Sequence, residues 1–380
     1  MKDFVTSIAF SSTRIRLVSG YVKGGRVFVL KASSSPALPL DKSGMIDKNE
    51  GKKALLALKK ESLDHLGDLG SLVALLPPID YVVRREEDTS ALVQESISQH
   101  DFLNVANMIK NACKTSDHHV LYCDPVSFLP EGGKRTASFP LGVKTSSLTM
   151  EADMHMISSS AFDYYSSLLS DCGMEPDFYA LAPFAQACFF LSFGAKPEYY
   201  LLSLEEDSST LSLILDNHLA SSEILPFSLD AFYKKTSEIL SLPVTKVREY
   251  AKLFGLRSTA GFPYQTDEGK TLEEISKAFK EALLPWKEEI QKRMKEPSEI
   301  QVIFVGEGSS MEGLNTYLSS SLTRTVLLFN GAPLGAREKD ELACLGGIRL
   351  SSYPYQSHKK ENRREETYLS NSKSRFGRGQ

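Results

Sequence analysis

The stretch YYLLSLEEDSSTLSLIL, residues 199–215, reads as strand, tight turn, strand. Leu202 and Leu204 alternate with Ser203 before the turn, and Leu211, Leu213 and Leu215 alternate with Ser212 and Ile214 after it. That period of two argues for a hairpin. A mid-chain hairpin followed by helices is a place to cradle a phosphate, and such turns are normally built from glycine so that backbone N–H groups can approach the anion. This one offers Glu205, Glu206 and Asp207 instead. Further on, QVIFVGEGSSMEGLNTYL runs strand, turn, helix, with Gly306 and Gly308 in the turn. Other reactive side chains form no pattern. His118, His119 and Cys123 could ligate a metal, but their spacing matches no zinc motif and no second ligand pair follows. No Gly-x-Ser-x-Gly elbow marks a nucleophile. His155, between Met154 and Met156 on a strand, reads as an exposed edge residue rather than a base. No catalytic or metal-binding residue is assigned.

The elements that must position these turns can be read along the chain. Strands are expected at 4–10, 14–18 and 26–31, with Gly24-Gly25 closing a hairpin. A helix at 50–64, a strand at 71–76, a helix over 91–114, strands at 120–129 and 147–156, a helix at 159–172 and a strand at 174–181 follow. Residues 183–193 read as a buried helix, and 178–193 is too short and interrupted to span a bilayer. The second half repeats the plan: the hairpin, an extended piece at 218–226, two helices across 228–254, and a Gly/Pro loop at 255–269. The helix from Thr271 opens with a capping box to Glu274, and Pro285 should kink it. Residues 357–380 lack apolar periodicity and read as a disordered tail, with seven basic residues against three acidic.

The 380 residues allow two or three domains, and the net charge of −4 gives no case for nucleic-acid binding. Five scattered cysteines with no Cys-x-x-Cys pair fit a reducing compartment. The N-terminus carries no signal-peptide pattern, which suggests a cytoplasmic protein.

Several stretches together resemble one family, the bacterial cell-division protein FtsA, which has the actin-like ATPase fold and is related to the pilus protein PilM. They are HHVLYCDPVSFLPEGGKRTASFPLGVKTSSLTMEADMHMIS (118–158), FYALAPFAQACFF (178–190), LPFSLDAFYKKTSEILSLPVTKVREYAKLFG (225–255) and VIFVGEGSSMEGL (302–314). The resemblance runs in order over about residues 4–350. It implies an α/β, actin-like (ribonuclease-H-like) fold of two halves with FtsA-type inserts. The expected division is 1–80 as half 1, 81–158 as a small inserted subdomain, 159–197 as the return and linking helix, 198–227 as half 2, 228–295 as its helical insert, 296–356 as its return, and 357–380 as the tail.

In this family two hairpins hold the phosphates of ATP, each with an Asp for Mg²⁺ and its waters and with glycines. Here Ala9 stands at the first Asp position and Ser11 at the first Gly, while Ser12, Thr13 and Arg14 keep a polar turn and a basic residue. Ser203 replaces the second Asp, and Glu205, Glu206 and Asp207 replace glycines. At about 4 Å and an effective dielectric near 20, each like-charge contact with a phosphate costs roughly 4 kcal/mol. Arg248 and Ala251 fall where the family offers Glu and Lys to the adenosine. The resemblance thus leaves Ser12, Thr13, Arg14, Ser208, Gly306, Gly308 and Ser309 as candidate nucleotide contacts, in a site expected to have lost its phosphate chemistry. It implies a division scaffold that binds the tubulin-like FtsZ through 228–295 and links the ring to other division proteins or, through the basic tail, to the inner face of the membrane. Self-polymerisation, an active ATPase using ATP and Mg²⁺, and a PilM-like adaptor of an envelope machine remain alternatives.

Overall fold

The structure, a computed structural model, describes residues 4–92, 94–191, 197–256, 265–295, 299–328 and 341–350. The described residues build three sheets. In the first, β1 (Val5–Phe10), β2 (Ile15–Lys23), β3 (Arg26–Ser34), β4 (Ser71–Leu76) and β8 (Phe178–Leu181) lie in the order β3-β2-β1-β4-β8. In the second, β9 (Tyr199–Leu204), β10 (Ser209–Leu215), β11 (His218–Ile224), β12 (Val302–Val305) and β13 (Val326–Leu328) lie in the order β11-β10-β9-β12-β13. Both sheets share one plan. Three antiparallel strands joined by hairpins come first, and two parallel strands then extend the sheet from the first of them. The third sheet is antiparallel, in the order β5 (Val82–Ala91), β7 (Ser147–Ser158), β6 (His118–Pro130), with α2 (Gln99–Ala112) packed on it.

Apolar periodicity decides the layers. The strands β1, β4 and β9 are buried along almost their whole length, as central strands covered on both faces must be. Between the two large sheets lie α4 (Ala182–Leu191) and α9 (Leu342–Leu350), and one core joins them to both sheets. The pair can touch only because α9 has no side chain at the crossing. A Cβ on Gly346 would sit 1.9 Å from the Ala185 carbonyl oxygen, and one on Gly347 would sit 2.2 Å from Ser7 Oγ. On the first sheet α1 (Lys48–Leu66) packs beside α3 (Ser159–Asp171). The far face of the second sheet is covered by α5 (Leu229–Leu240), α6 (Val244–Leu253), α7 (Leu272–Arg293) and α8 (Leu314–Leu322). Aromatic rings fill that layer: Phe227 stacks on Trp286 at 4.6 Å, and Phe232 meets Phe279 at 5.4 Å.

The capping box at α7 forms, with Glu274 N–H donating to Thr271 Oγ1 (3.2 Å) and Thr271 N–H to Glu274 Oε2 (2.8 Å). The helix runs on through Pro285 to Arg293. The helix expected over 91–114 starts only at Gln99, and residues 82–91 form a strand instead. VVRREEDTSA has no apolar alternation because β5 is an edge strand with charged residues on both faces. Of the strand expected at 174–181, only Phe178–Leu181 pairs. The 357–380 tail and residues 257–264 of the Gly/Pro loop lie outside the described residues.

His155 is a clear correction. It lies on the central strand β7 and is fully buried, not at an exposed edge. Both faces of β7 are covered. Met150, Met154 and Met156 face α2, while His155 stacks on Tyr122 (4.3 Å) near Phe184 (5.7 Å). Its Nδ1 shares a 2.7 Å hydrogen bond with Tyr81 Oη, which also donates to the Leu219 carbonyl oxygen (3.3 Å). Alongside, His218 Nδ1 pairs with Asp124 at 2.8 Å, so the small sheet is tied to the β10–β11 turn of the second sheet.

These two histidines should give opposite pH dependences. Burial pushes His155 down to about 4, so its stabilising contribution is complete above the ordinary imidazole pKa and is lost as pH falls toward 4. The hydrogen bond that His218 donates to the Asp124 carboxylate raises its pKa, so its contribution is complete below the ordinary value and is lost as pH rises through the raised one. Urea unfolding across pH should show the wild type losing on the order of 3 kcal/mol to His155 between pH 7 and 4. H155Q should flatten that acid limb, and H218N should flatten only the slope on the neutral side.

Candidate functional site

The β1–β2 turn and the β9–β10 turn meet across the space between the two large sheets. In the first, Ser11 N–H donates to the Arg14 carbonyl oxygen at 3.0 Å, and Arg14 N–H returns to Ser11 Oγ at 3.2 Å. In the second, Glu205 N–H closes onto the Ser208 carbonyl oxygen at 2.9 Å. Helix α5 seats on this turn. Leu229 N–H and Asp230 N–H, unpaired inside their own helix, donate to the carbonyl oxygens of Glu205 (3.1 Å) and Glu206 (2.9 Å).

The three acidic side chains all point into the first hairpin's territory. One oxygen of Asp207, Oδ2, accepts from Ser11 Oγ (2.7 Å), Thr13 N–H (2.6 Å) and Thr13 Oγ1 (2.9 Å). Glu206 lies between two guanidinium groups, bonded to Arg14 through Oε2 and to Arg248 through Oε1. Arg248 continues to Asp230 (2.9 Å) and covers the Tyr233 ring at 4.9 Å. Deeper in, Glu205 accepts from Ser203 Oγ (3.0 Å) and faces Arg16 at 3.7 Å, and Glu307 approaches both Arg16 (4.0 Å) and Arg14 (3.9 Å). The acidic turn is thus a clasp of charge-assisted hydrogen bonds, the strong class, and not a solvated surface turn.

Gly306 and Gly308 serve this same packing. Gly306 has φ 85°, and a Cβ there would lie 2.5 Å from the Leu204 carbonyl oxygen and 2.8 Å from Glu205 Oε1. One on Gly308 would meet Leu204 Cβ at 2.8 Å. The glycines let the turn after β12 lie directly on the chain's own hairpin. Ser309 is buried, and its Oγ donates to the Gly306 carbonyl oxygen at 2.7 Å. Ser12 and Ser208 line what space remains, a cavity of about 60 Å³ shared with Arg16, Gln186, Glu205 and Ser209. The seven candidate residues therefore gather around one cleft. Thr13 and Arg14 are engaged by carboxylates, Gly306, Gly308 and Ser309 by packing, and Ser12 and Ser208 border the residual space. Arg16, Asp230 and Glu307 were not legible as site residues. The one signal was Arg16, a charge inside the buried run IRLV, which requires a partner.

ATP with Mg²⁺ does not fit this arrangement. The hairpin donors already hold a carboxylate, the neighbouring acids are committed to arginines, and 60 Å³ is far below the roughly 300–1,000 Å³ of ligand pockets. His118 and His119 lie at the start of β6, where His119 stacks on Phe162 at 3.5 Å. Among the described residues no group of His, Cys, Asp and Glu could hold a metal ion, and no helix is long and apolar enough to cross a membrane. A larger cavity, about 460 Å³, opens between α2, β6, β8 and α4. Phe102, Tyr122, Phe178 and Phe184 wall it, with Lys110, Asp124 and Asp177 as charged members.

No protein-family model matches the chain, and no curated protein matches it in sequence. Solved structures match it along nearly its whole length. A chain of the PilM–PilN type IV pilus biogenesis complex superposes with a TM-score of 0.61 at 16% identity, over 92% of this chain and 99% of that one. The ethanolamine utilization protein EutJ from Carboxydothermus hydrogenoformans gives 0.54 at 11%, over 91% and 89%. MreB5 of Spiroplasma citri bound to ADP gives 0.52 at 9%, over 92% and 96%. The chain has the actin-like ATPase fold.

If the clasp holds the cleft shut, truncating Asp207 leaves three donors without their acceptor. D207A should lower the unfolding free energy by about 2 kcal/mol, read as a lower urea midpoint. D207N should fall in between.

Proposed function

We propose that this protein is a non-hydrolysing scaffold on the actin-like fold, which works through protein–protein contacts at the cell envelope. The observation that carries the reading is the seating of Asp207 on the Ser11 and Thr13 donors, with Glu206 between Arg14 and Arg248. A fold that elsewhere accommodates ADP, as in MreB5, here fills the matching cleft with its own side chains. The FtsA resemblance of residues 118–158 and 225–255 supports a division scaffold. In it the 228–295 region takes the C-terminal peptide of an FtsZ-like protein and the basic tail makes weak contact with the membrane surface. The active filament-forming ATPase is the weaker alternative, because the cleft is occupied.

A second reading, an adaptor of another envelope machine, draws on two observations. The first is the match to a chain of the PilM–PilN complex. The second is the 460 Å³ aromatic-walled cavity, roomy enough for side chains of a partner segment. On both readings the half-to-half geometry is fixed by the clasp and not by nucleotide.

The test is a titration of the full chain with a fluorescent FtsZ C-terminal peptide, with and without Mg-ATP, alongside a phosphate-release assay. The expected outcome is saturable micromolar binding unaffected by ATP, and no ATP turnover. Binding that requires ATP, or turnover abolished by Ser12→Ala, overturns the non-hydrolysing reading. Absence of peptide binding overturns the FtsZ assignment and leaves the adaptor.

A further inference from the structure

We infer that the cavity of about 460 Å³ between α2, β6, β8 and α4 is a binding site for a small organic acid, a single carboxylate carried on an apolar body. The inference uses the cavity of the adaptor reading but does not rest on that reading, because its ligand is a small molecule. Volume and lining carry the first half of it. The size falls within the range of small-molecule sites, which are largely apolar cavities with a few placed polar groups. Its aromatic walls come from four elements. Tyr122 of β6 stacks on Phe184 of α4 at 4.5 Å and meets Phe178 of β8 at 6.1 Å, and Phe102 adds a ring from α2. On α2, Phe102 and Ala106 precede Lys110 at intervals of four residues, so about 12 Å of apolar helix face leads up to the charge.

Charge sets the class of ligand. The two carboxylates of the lining already have partners: Asp124 accepts from His218 Nδ1 at 2.8 Å, and Asp177 accepts from the Leu72 N–H at 3.1 Å. Lys110 is half-buried and, among the described residues, has neither a hydrogen bond nor an ion pair. Burial holds its ammonium below the usual lysine range. A cation so placed is stabilised by an anion that enters the cavity beside it. Asn107 also lines the cavity, one turn before Lys110 on the same helix, so an amide lies next to the ammonium and the two can share the oxygens of one carboxylate. One ammonium matches one negative charge.

The experiment titrates the full chain calorimetrically with 2-naphthoate and with octanoate, and in parallel with the matching neutral alcohols, 2-naphthalenemethanol and 1-octanol. The variants are K110M, which keeps an apolar stem, and A106W, which fills the cavity. K277M, on the exposed surface of α7, controls for the change in net charge. The comparison of acid with alcohol needs no variant and so stands even where a variant does not fold. The expected result is saturable submillimolar binding of at least one acid, with its alcohol at least tenfold weaker. K110M should lose at least tenfold in affinity for that acid and leave the alcohol unchanged, A106W should abolish binding, and K277M should match the wild type. Binding of 2-naphthoate alone marks an aryl acid, binding of octanoate alone an alkyl acid, and binding of both a site that reads charge and apolar bulk; each supports the inference. It is overturned if neither acid saturates the wild type, if an alcohol binds as tightly as its acid, if folded K110M or A106W binds as the wild type does, or if K277M shares the loss. Any of these failures leaves the closed cleft and both scaffold readings standing.

Discussion

The bond network between Asp207, Glu206 and the first hairpin ties the two halves of this molecule together across the cleft. Its members lie more than 190 residues apart in the chain. It crosses the cleft at the place where the hairpins of both halves converge. Everything else that touches the cleft accommodates it. The α5 N-terminus sits on the acidic turn, Arg248 reaches back from α6, and Gly306 and Gly308 bring the turn after β12 onto Leu204. The charges do not cancel pair by pair. Glu206 serves two arginines while Arg248 serves two acids, and such sharing makes the group cooperative.

Electrostatics resolves the apparent paradox of an acidic phosphate hairpin. Carboxylates facing a bound triphosphate would repel it at short range. Facing Arg14, Arg16 and Arg248 they are neutralised, and the arginines a phosphate would use are spent. The same residues that argue against a nucleotide thus supply the attraction that closes the cleft. A second joint, apart from the cleft, combines a tyrosine–histidine hydrogen bond with a carboxylate–imidazole pair. Tyr81 links His155 on the small sheet to the Leu219 carbonyl of the second sheet, and Asp124 links to His218. The small sheet is thereby fixed to the second half as well as to the first.

Much of this was legible before folding was considered. The alternation in 199–215, the strand at 71–76, the Thr271–Glu274 cap and the buried run of α4 each follow from local rules, because each depends on neighbours within a few residues. The acidic composition of the second turn was also plain. Local rules failed where burial comes from distant chain. β5 shows no apolar period because it is an edge strand. His155 reads as exposed beside two methionines because no local signal reveals that β7 is covered on both faces.

Most strands and helices outside β5, and the three carboxylates at one hairpin tip, can be read from the order of residues. What those carboxylates do depends on what the folded chain brings against them. A charge in a turn is solvated or paired according to what is brought against it. Ser11, Thr13, Arg14 and Arg16 come from the far end of the chain, delivered by the packing of α4 and α9 between the two sheets. Short-range propensity carries no information about that meeting, since it depends on how two sheets distant in sequence pack together.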